Sequence, residues 1–485
     1  MCEIGIYKQD KLFYSKKAPY FPAVIFKEYP FKNTRVDKKN EIYASLRQLF
    51  KLLKLDMENF DTQKWNPFNS FISTGDTVLL KPNLVKEIDE YGRVNSGLTT
   101  HGSLIRAIID YTYIALKGNG RIIVADGPIN SADFDKIARY AGLYEIKKFY
   151  KDMVNFNIEI YDLRQERVIE KKGKIIRRIK LEGDPRGYTS VDLGGISKFK
   201  EGDLDYKVFK GSECRDDIMF AHHNVDKNEY LISNTLLKAD VVINIPKLKT
   251  HKKAGVTLSL KNMVGITGDR NWLPHFSGII SDKVTLSPQK KNIVALNIEI
   301  LSENSRDFVN RYFSGAMRLL KNRLRKQPSG ISEHDMQGGN WHGNDIMWRT
   351  ILDLAFIVTY ADRNGIIRDN PQRKNFIIID GIVGGEGNGP TNPDPKPCGV
   401  LLGGFDGCCI DIAASRFMGF DPIKIPKFRN ILNNGLYKRY CNIDKIHCVS
   451  NITDWSKKLS DLKGRCLDFK PYVGWKDYAE IRNEA

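Results

Sequence analysis

From about residue 76 the chain alternates short β-branched apolar runs with longer stretches whose apolar residues recur every three or four positions. Strands of period two and helices of period 3.6 produce those two patterns. The runs Thr77–Leu80, Ile122–Ala125, Val241–Ile245, Phe376–Ile379 and Val400–Leu402 read as strands. Helices are predicted over Ser103–Lys117, from a cap at Ser131 through Ala141, over Ile346–Tyr360 and over Ile410–Met418. Val241–Ile245 is apolar except at Asn244, which fits a strand buried on both faces of its sheet. This alternation predicts an α/β fold with a largely parallel sheet flanked by helices.

Two stretches interrupt it. Residues 155–230 are basic and read as a short-stranded insertion, and residues 300–345 as a helical insertion, with helix predicted over 292–326. Residues 1–75 read as an N-terminal extension packing on a core of residues 76–485. The extension is expected to hold a strand at Ala23–Glu28 and a helix at Glu41–Leu55, where Tyr43, Leu46, Phe50 and Leu53 keep helical spacing. It carries no evident chemistry.

A chain of 485 residues with 41% hydrophobic content can bury a large core. No apolar run approaches the roughly 18–20 residues of a membrane span. Met1–Lys11 is mixed and polar, unlike a secretory signal, so the cytoplasm is the expected compartment. None of the eight cysteines forms a C-x-x-C pair, which argues for reduced thiols and against a sequence-local zinc or iron–sulfur cradle. The net charge of +18 favours anionic partners. It concentrates in Arg164–Lys180, which lacks the aromatic residues on which bases stack and reads as a solvated hairpin turning at Gly173.

Candidate chemistry gathers where strands end. Four predicted strands run into Lys81-Pro82-Asn83, Asp126-Gly127-Pro128, Pro246 to His251, and Asp380-Gly381. In open α/β sheets the carboxyl ends of the strands form the ligand crevice. Lys247 and Lys249, two apart on an extended segment, are expected to face one anion with His251 in phase, and Lys261 and Asn262 follow closely. His251 is the acid–base candidate, held neutral by its lysine neighbours, with Asp380 or Glu386 to orient it or a metal. Gly385 and Gly387 allow close backbone approach to a ligand, though their loop is neither a Walker loop nor G-x-G-x-x-G. Glu386, Asp406 and Asp411 are the candidates for a divalent cation, and Asp406 is also placed to cap a helix.

In this order, Lys81-Pro82-Asn83, Pro246 to His251 with Thr257, Lys261, Asn262 and Gly265, Asp380-Gly381 through Gly389-Pro390, and Asp406, Asp411 and Gly419 resemble the prokaryotic family catalogued as domain of unknown function 362. The resemblance covers about residues 76–422. It implies no assigned activity. Some members carry ferredoxin-like cluster segments, whose cysteines this chain lacks.

The leading expectation is a cytoplasmic enzyme acting on a phosphorylated or carboxylated small molecule. Its catalytic candidates are His251, Lys249 and Asp380, and its binding candidates Lys81, Asn83, Asp126, Lys247, Lys261, Asn262, Gly385 and Gly387. One alternative is a metal-dependent or redox enzyme of the kind seen in nickel-pincer lactate racemases, an analogy at the level of fold. Another is a non-enzymatic binder of nucleic acid or anionic membrane, through Arg164–Lys180 and a basic helix with Arg311, Arg318, Lys321, Arg325 and Lys326.

Overall fold

Alternation along each strand decides which side of the sheet a residue serves. In the computed structural model, which describes residues 2–171, 174–278, 331–433 and 442–481, Val241, Ile243 and Ile245 join one apolar layer and Val242 joins the other. The strands in chain order begin with Cys2–Lys8 (β1), Thr77–Pro82 (β2), Arg121–Asp126 (β3) and Ile158–Asp162 (β4). Two pairs follow, Glu166–Lys171 (β5) with Lys174–Lys180 (β6), and Tyr188–Asp192 (β7) with Glu229–Ser233 (β8). Then come Val241–Ile245 (β9), Lys247–His251 (β10), Gly255–Val256 (β11), Lys374–Glu386 (β12), Asp394–Gly404 (β13) and Ile446–Ser450 (β14).

The main sheet, ten strands among the described residues, runs β14-β1-β13-β12-β9-β2-β3-β4, with β10 branching from β12 and β11 from β10. The run β12-β9-β2-β3-β4 is parallel throughout, while β13 lies antiparallel to both β12 and β1. Helices Ile42–Leu52, Gly102–Leu116, Phe134–Tyr140 and Leu143–Val154 pack on one face. Met347–Tyr360, Gly407–Met418 and Pro426–Asn433 cover the other. The fold is α/β, a mostly parallel mixed sheet flanked by helices. Among the described residues no helix is long and apolar enough to cross a membrane.

Pro246 creates the step that builds the site. Having no N–H, it ends β9, and its carbonyl accepts the amide of Asp380 at 2.8 Å. The chain resumes as β10, so β12 pairs with β9 over its first half and with β10 over its second.

Several local expectations are corrected. Ala23–Glu28 is not a strand; flanked by Pro22 and Pro30, the segment turns, and the N-terminal strand is instead β1, set between β13 and β14. Asp133, not Ser131, caps the helix Phe134–Tyr140, because the Ser131 hydroxyl is held by Glu213 at 2.7 Å. β4, at the start of the basic stretch, is an edge strand of the main sheet. The helix expected over 292–326 lies outside the described residues, as does the Gly173 turn of the β5–β6 hairpin.

Candidate functional site

At the ends of β2 and β3 two buried charges close on each other. Lys81 Nζ lies 2.6 Å from Asp126 Oδ1, and Asp126 Oδ2 accepts the amide of Leu84 at 2.6 Å. Asn262 stitches neighbouring strand ends together, donating to Lys81 O at 3.0 Å and Asn244 Oδ1 at 2.8 Å while accepting from Asn83 at 3.0 Å. The short helix Leu258–Asn262 that carries Asn262 also carries Lys261. Asp411 fixes that helix by accepting the amides of Ser259 and Leu260 at 2.7 and 2.9 Å.

These elements enclose a cavity of about 410 Å³. Lys249, Lys253, Lys261 and Arg270 line it with His251, His275, Asn83, Asp126, Thr257 and Asn262. Lys249 Nζ donates to Leu98 O at 2.7 Å and Pro390 O at 3.2 Å, which leaves one of its three protons unassigned. Lys253 donates to Gly338 O and lies over the Phe276 ring. Among the described residues the Arg270 guanidinium makes one long bond, 3.4 Å to Pro128 O. Lys261 is 9% exposed, and its side-chain amine has no hydrogen-bond or ion-pair partner among the described residues. Two further lining atoms, Thr257 Oγ1 and Asn83 Oδ1, are buried and unpartnered.

Burial works against every one of these cations. It pushes Lys249 down to about 7, with Lys247 adding repulsion, and Lys253 down to about 7, with Lys252 adding. Lys261 falls well below the usual lysine range through burial and then Arg270 and Lys427. His251 and His275 are held well below the ordinary imidazole range by burial first, and then chiefly by Lys261 and Arg270 respectively. Clustered buried cations are costly unless an anion joins them.

The family model described as Domain of unknown function (DUF362) matches residues 78–189 and 199–416, a span that includes every cavity-lining residue named above. The chain belongs to the DUF362 family. No curated protein matches it.

In this DUF362 chain, the strand-end residues predicted from sequence divide into two groups. Asn83, Asp126, Lys249, His251, Lys261 and Asn262 line the cavity, with Lys81 directly behind Asp126. Lys247 and Asp380 do not line it. They form a fully buried ion pair of 3.1 Å, and Tyr14 OH lies 2.6 Å from each of them. The expectation that Lys247 and Lys249 share one anion fails because β10 is irregular against β12: Lys247 pairs with Asp380 but Lys249 with Gly385. Asp380 accepts the amide of His101 at 3.0 Å and makes no contact with His251, so it does not orient that ring.

Gly385 and Gly387 also lie outside the cavity lining. A Cβ on Gly385 would sit 2.6 Å from Gly97 O, so glycine there serves chain packing. Glu386 is held by Lys396 at 3.1 Å and the Lys470 amide at 2.9 Å. Asp406 caps the helix Gly407–Met418 through the amides of Cys408 and Cys409, both at 2.8 Å. These carboxylates and Asp411 therefore have separate structural partners, and no three metal-ligating side chains converge among the described residues.

Arg270, His275 and Tyr14 are not among the site candidates that the sequence pattern offers. Arg270 and His275 follow Gly268 in a loop without periodicity, and proximity to Lys261 was their one signal. The basic stretch proves partly internal: buried Arg164 holds Asp162 at 2.7 Å and three backbone carbonyls, and Arg178 pairs with Glu166 at 2.5 Å. The basic helix with Arg311 lies outside the described residues.

Proposed function

We propose that the chain is a cytoplasmic enzyme that binds a phosphorylated or carboxylated small molecule in the Lys249/Lys261/Arg270 cavity. The observation that carries this reading is Lys261, whose buried side-chain amine has no partner among the described residues, on the wall of a cavity of about 410 Å³. A cavity of that size suits a metabolite. An oxyanion there would accept from Lys249, Lys261, Arg270 and the Thr257 hydroxyl, replacing the hydration these groups lack. Asn83 Oδ1 is left to accept from a ligand hydroxyl or amine, which would fix orientation.

The test is thermal denaturation of the full chain against a panel of phosphorylated and carboxylated metabolites. A ligand at a hundred times its dissociation constant stabilises by about 2.7 kcal/mol. Stabilisation is expected from at least one member and is expected to disappear in Lys249→Ala and Lys261→Ala proteins that remain folded. Stabilisation that survives both substitutions would place the site elsewhere.

A further inference from the structure

The two histidines of the cavity hold their protons on opposite ring nitrogens. His251 Nδ1 accepts the backbone N–H of Lys253 at 3.0 Å. A ring nitrogen that accepts carries no proton, so neutral His251 bears its proton on Nε2. His275 is arranged the other way, since its Nδ1 lies 2.6 Å from the carbonyl oxygen of Leu273. A carbonyl can only accept, so the proton sits on Nδ1 and Nε2 keeps its lone pair. Both rings are about 5% exposed and both line the cavity. Neither Nε2 has a partner among the described residues.

We propose that His275 is the proton acceptor of this site and His251 its neutral N–H donor. The bound anion would then carry a hydroxyl or an acidic C–H beside its phosphate or carboxylate. This rests on the anion-binding reading above and adds the direction of proton flow. In the step, a bond forms between His275 Nε2 and the ligand's hydrogen while the ligand's O–H or C–H bond breaks. The electron pair stays on the ligand oxygen or carbon, and the new negative charge is stabilised by the His251 N–H and the Lys261 ammonium.

The surroundings of His275 suit that role. Burial first, and then the basic side chains of Arg270, Lys261 and Lys253, disfavour a charge on the ring, so in the free protein it is neutral and its Nε2 lone pair is ready to accept. An anion seated on Lys261 and Arg270 cancels the repulsion and raises the ring's proton affinity as the ligand arrives. His251, which sequence reasoning favoured as the base, has its free lone pair already engaged by the Lys253 amide.

The experiment uses the full chain labelled with ¹⁵N-histidine and ring ¹H–¹⁵N correlation spectra at pH 7, assigned with His251→Gln and His275→Gln proteins and, where either folds poorly, with the Asn variant. The probe is inorganic phosphate. The free protein is expected to show the Nε2–H tautomer at His251 and the Nδ1–H tautomer at His275. Saturating phosphate is expected to shift the His275 nitrogens towards the imidazolium pattern while His251 keeps its tautomer. An Nε2–H tautomer at His275, or His275 signals unmoved by phosphate that still raises Tm, overturns the acid–base assignment and leaves the anion site standing. Absence of any Tm rise with both phosphate and pyrophosphate would instead overturn the anion-binding reading on which it rests.

Discussion

Lys81 Nζ sits 2.6 Å from Asp126 Oδ1, and that pairing leaves Lys261 without a counter-ion among the described residues. Asp126 is the buried carboxylate of the cavity wall, and its second oxygen is taken by the Leu84 amide. The remaining acidic residues of the lining, Glu90, Glu170 and Glu213, are not fully buried. Among the described residues the inner cavity is thus lined by basic side chains with no buried carboxylate free to pair with them.

Gly265 lets the chain pass over that ion pair. A Cβ there would lie 2.0 Å from Asp126 Oδ1 and 2.9 Å from Lys81 Nζ. Breaking a buried pair costs roughly 3–5 kcal/mol, so Gly265→Ala is expected to lower stability by an amount of that order. Urea denaturation monitored by circular dichroism checks it, and an unchanged midpoint would count against the pair.

Lys261 is expected to cost stability in the absence of ligand. An unsatisfied buried polar group is unfavourable by about 1–3 kcal/mol, so Lys261→Met should raise the melting temperature of the free protein. The same substitution should remove stabilisation by phosphate. A Met variant that melts lower than wild type would show that Lys261 already has a partner.

Lys249 and Lys253 have folded values of about 7 against an ordinary 10.5. Between those values the unfolded chain binds more protons than the folded one, so stability rises with pH. Below pH 7 both states carry these two protons and the lysines' contribution to the slope vanishes. The window closes near the ordinary thiol range, about 8.5, where buried cysteines such as Cys448 begin to act in the opposite sense. Thermal denaturation of the ligand-free chain should therefore show a higher Tm at the top of this window than at pH 7. Saturating phosphate, by favouring the protonated lysines, should flatten the difference.

Tyr14 tests whether the Lys247–Asp380 pair is scaffold. Its hydroxyl donates to Asp380 Oδ1 at 2.6 Å and accepts from Lys247 at 2.6 Å and the Val383 amide at 3.1 Å. Tyr14→Phe leaves these groups short of a partner, at an expected cost of about 1–3 kcal/mol. Phosphate affinity measured on the folded variant should match wild type. A large loss of affinity would move Lys247 and Asp380 back into the site.

Local pattern carried much of this fold. The β-branched runs announced β2, β3, β9, β12 and β13, and their polar ends pointed to Asn83, Asp126 and Lys249, because strand ends and ligand crevices coincide in parallel sheets. What stayed hidden depends on long-range register. Tyr14 reaches Asp380 across 366 positions, a contact no local pattern encodes. The spacing rule that grouped Lys247 with Lys249 assumes a regular ladder, and β10 departs from one. His275 was one histidine among eight, and only the Leu273 carbonyl at its Nδ1 sets it apart.

The most direct test is isothermal titration calorimetry of the full chain with inorganic phosphate and pyrophosphate at pH 7, beside Lys261→Met and Arg270→Met. A hydrogen bond to a charged group is worth about 1.5–3 kcal/mol, which corresponds to roughly tenfold or more in affinity. The account predicts saturable binding of at least one of the two anions by wild type, weakened at least about tenfold in each variant. No binding of either anion, or equal binding by all three proteins, would contradict it.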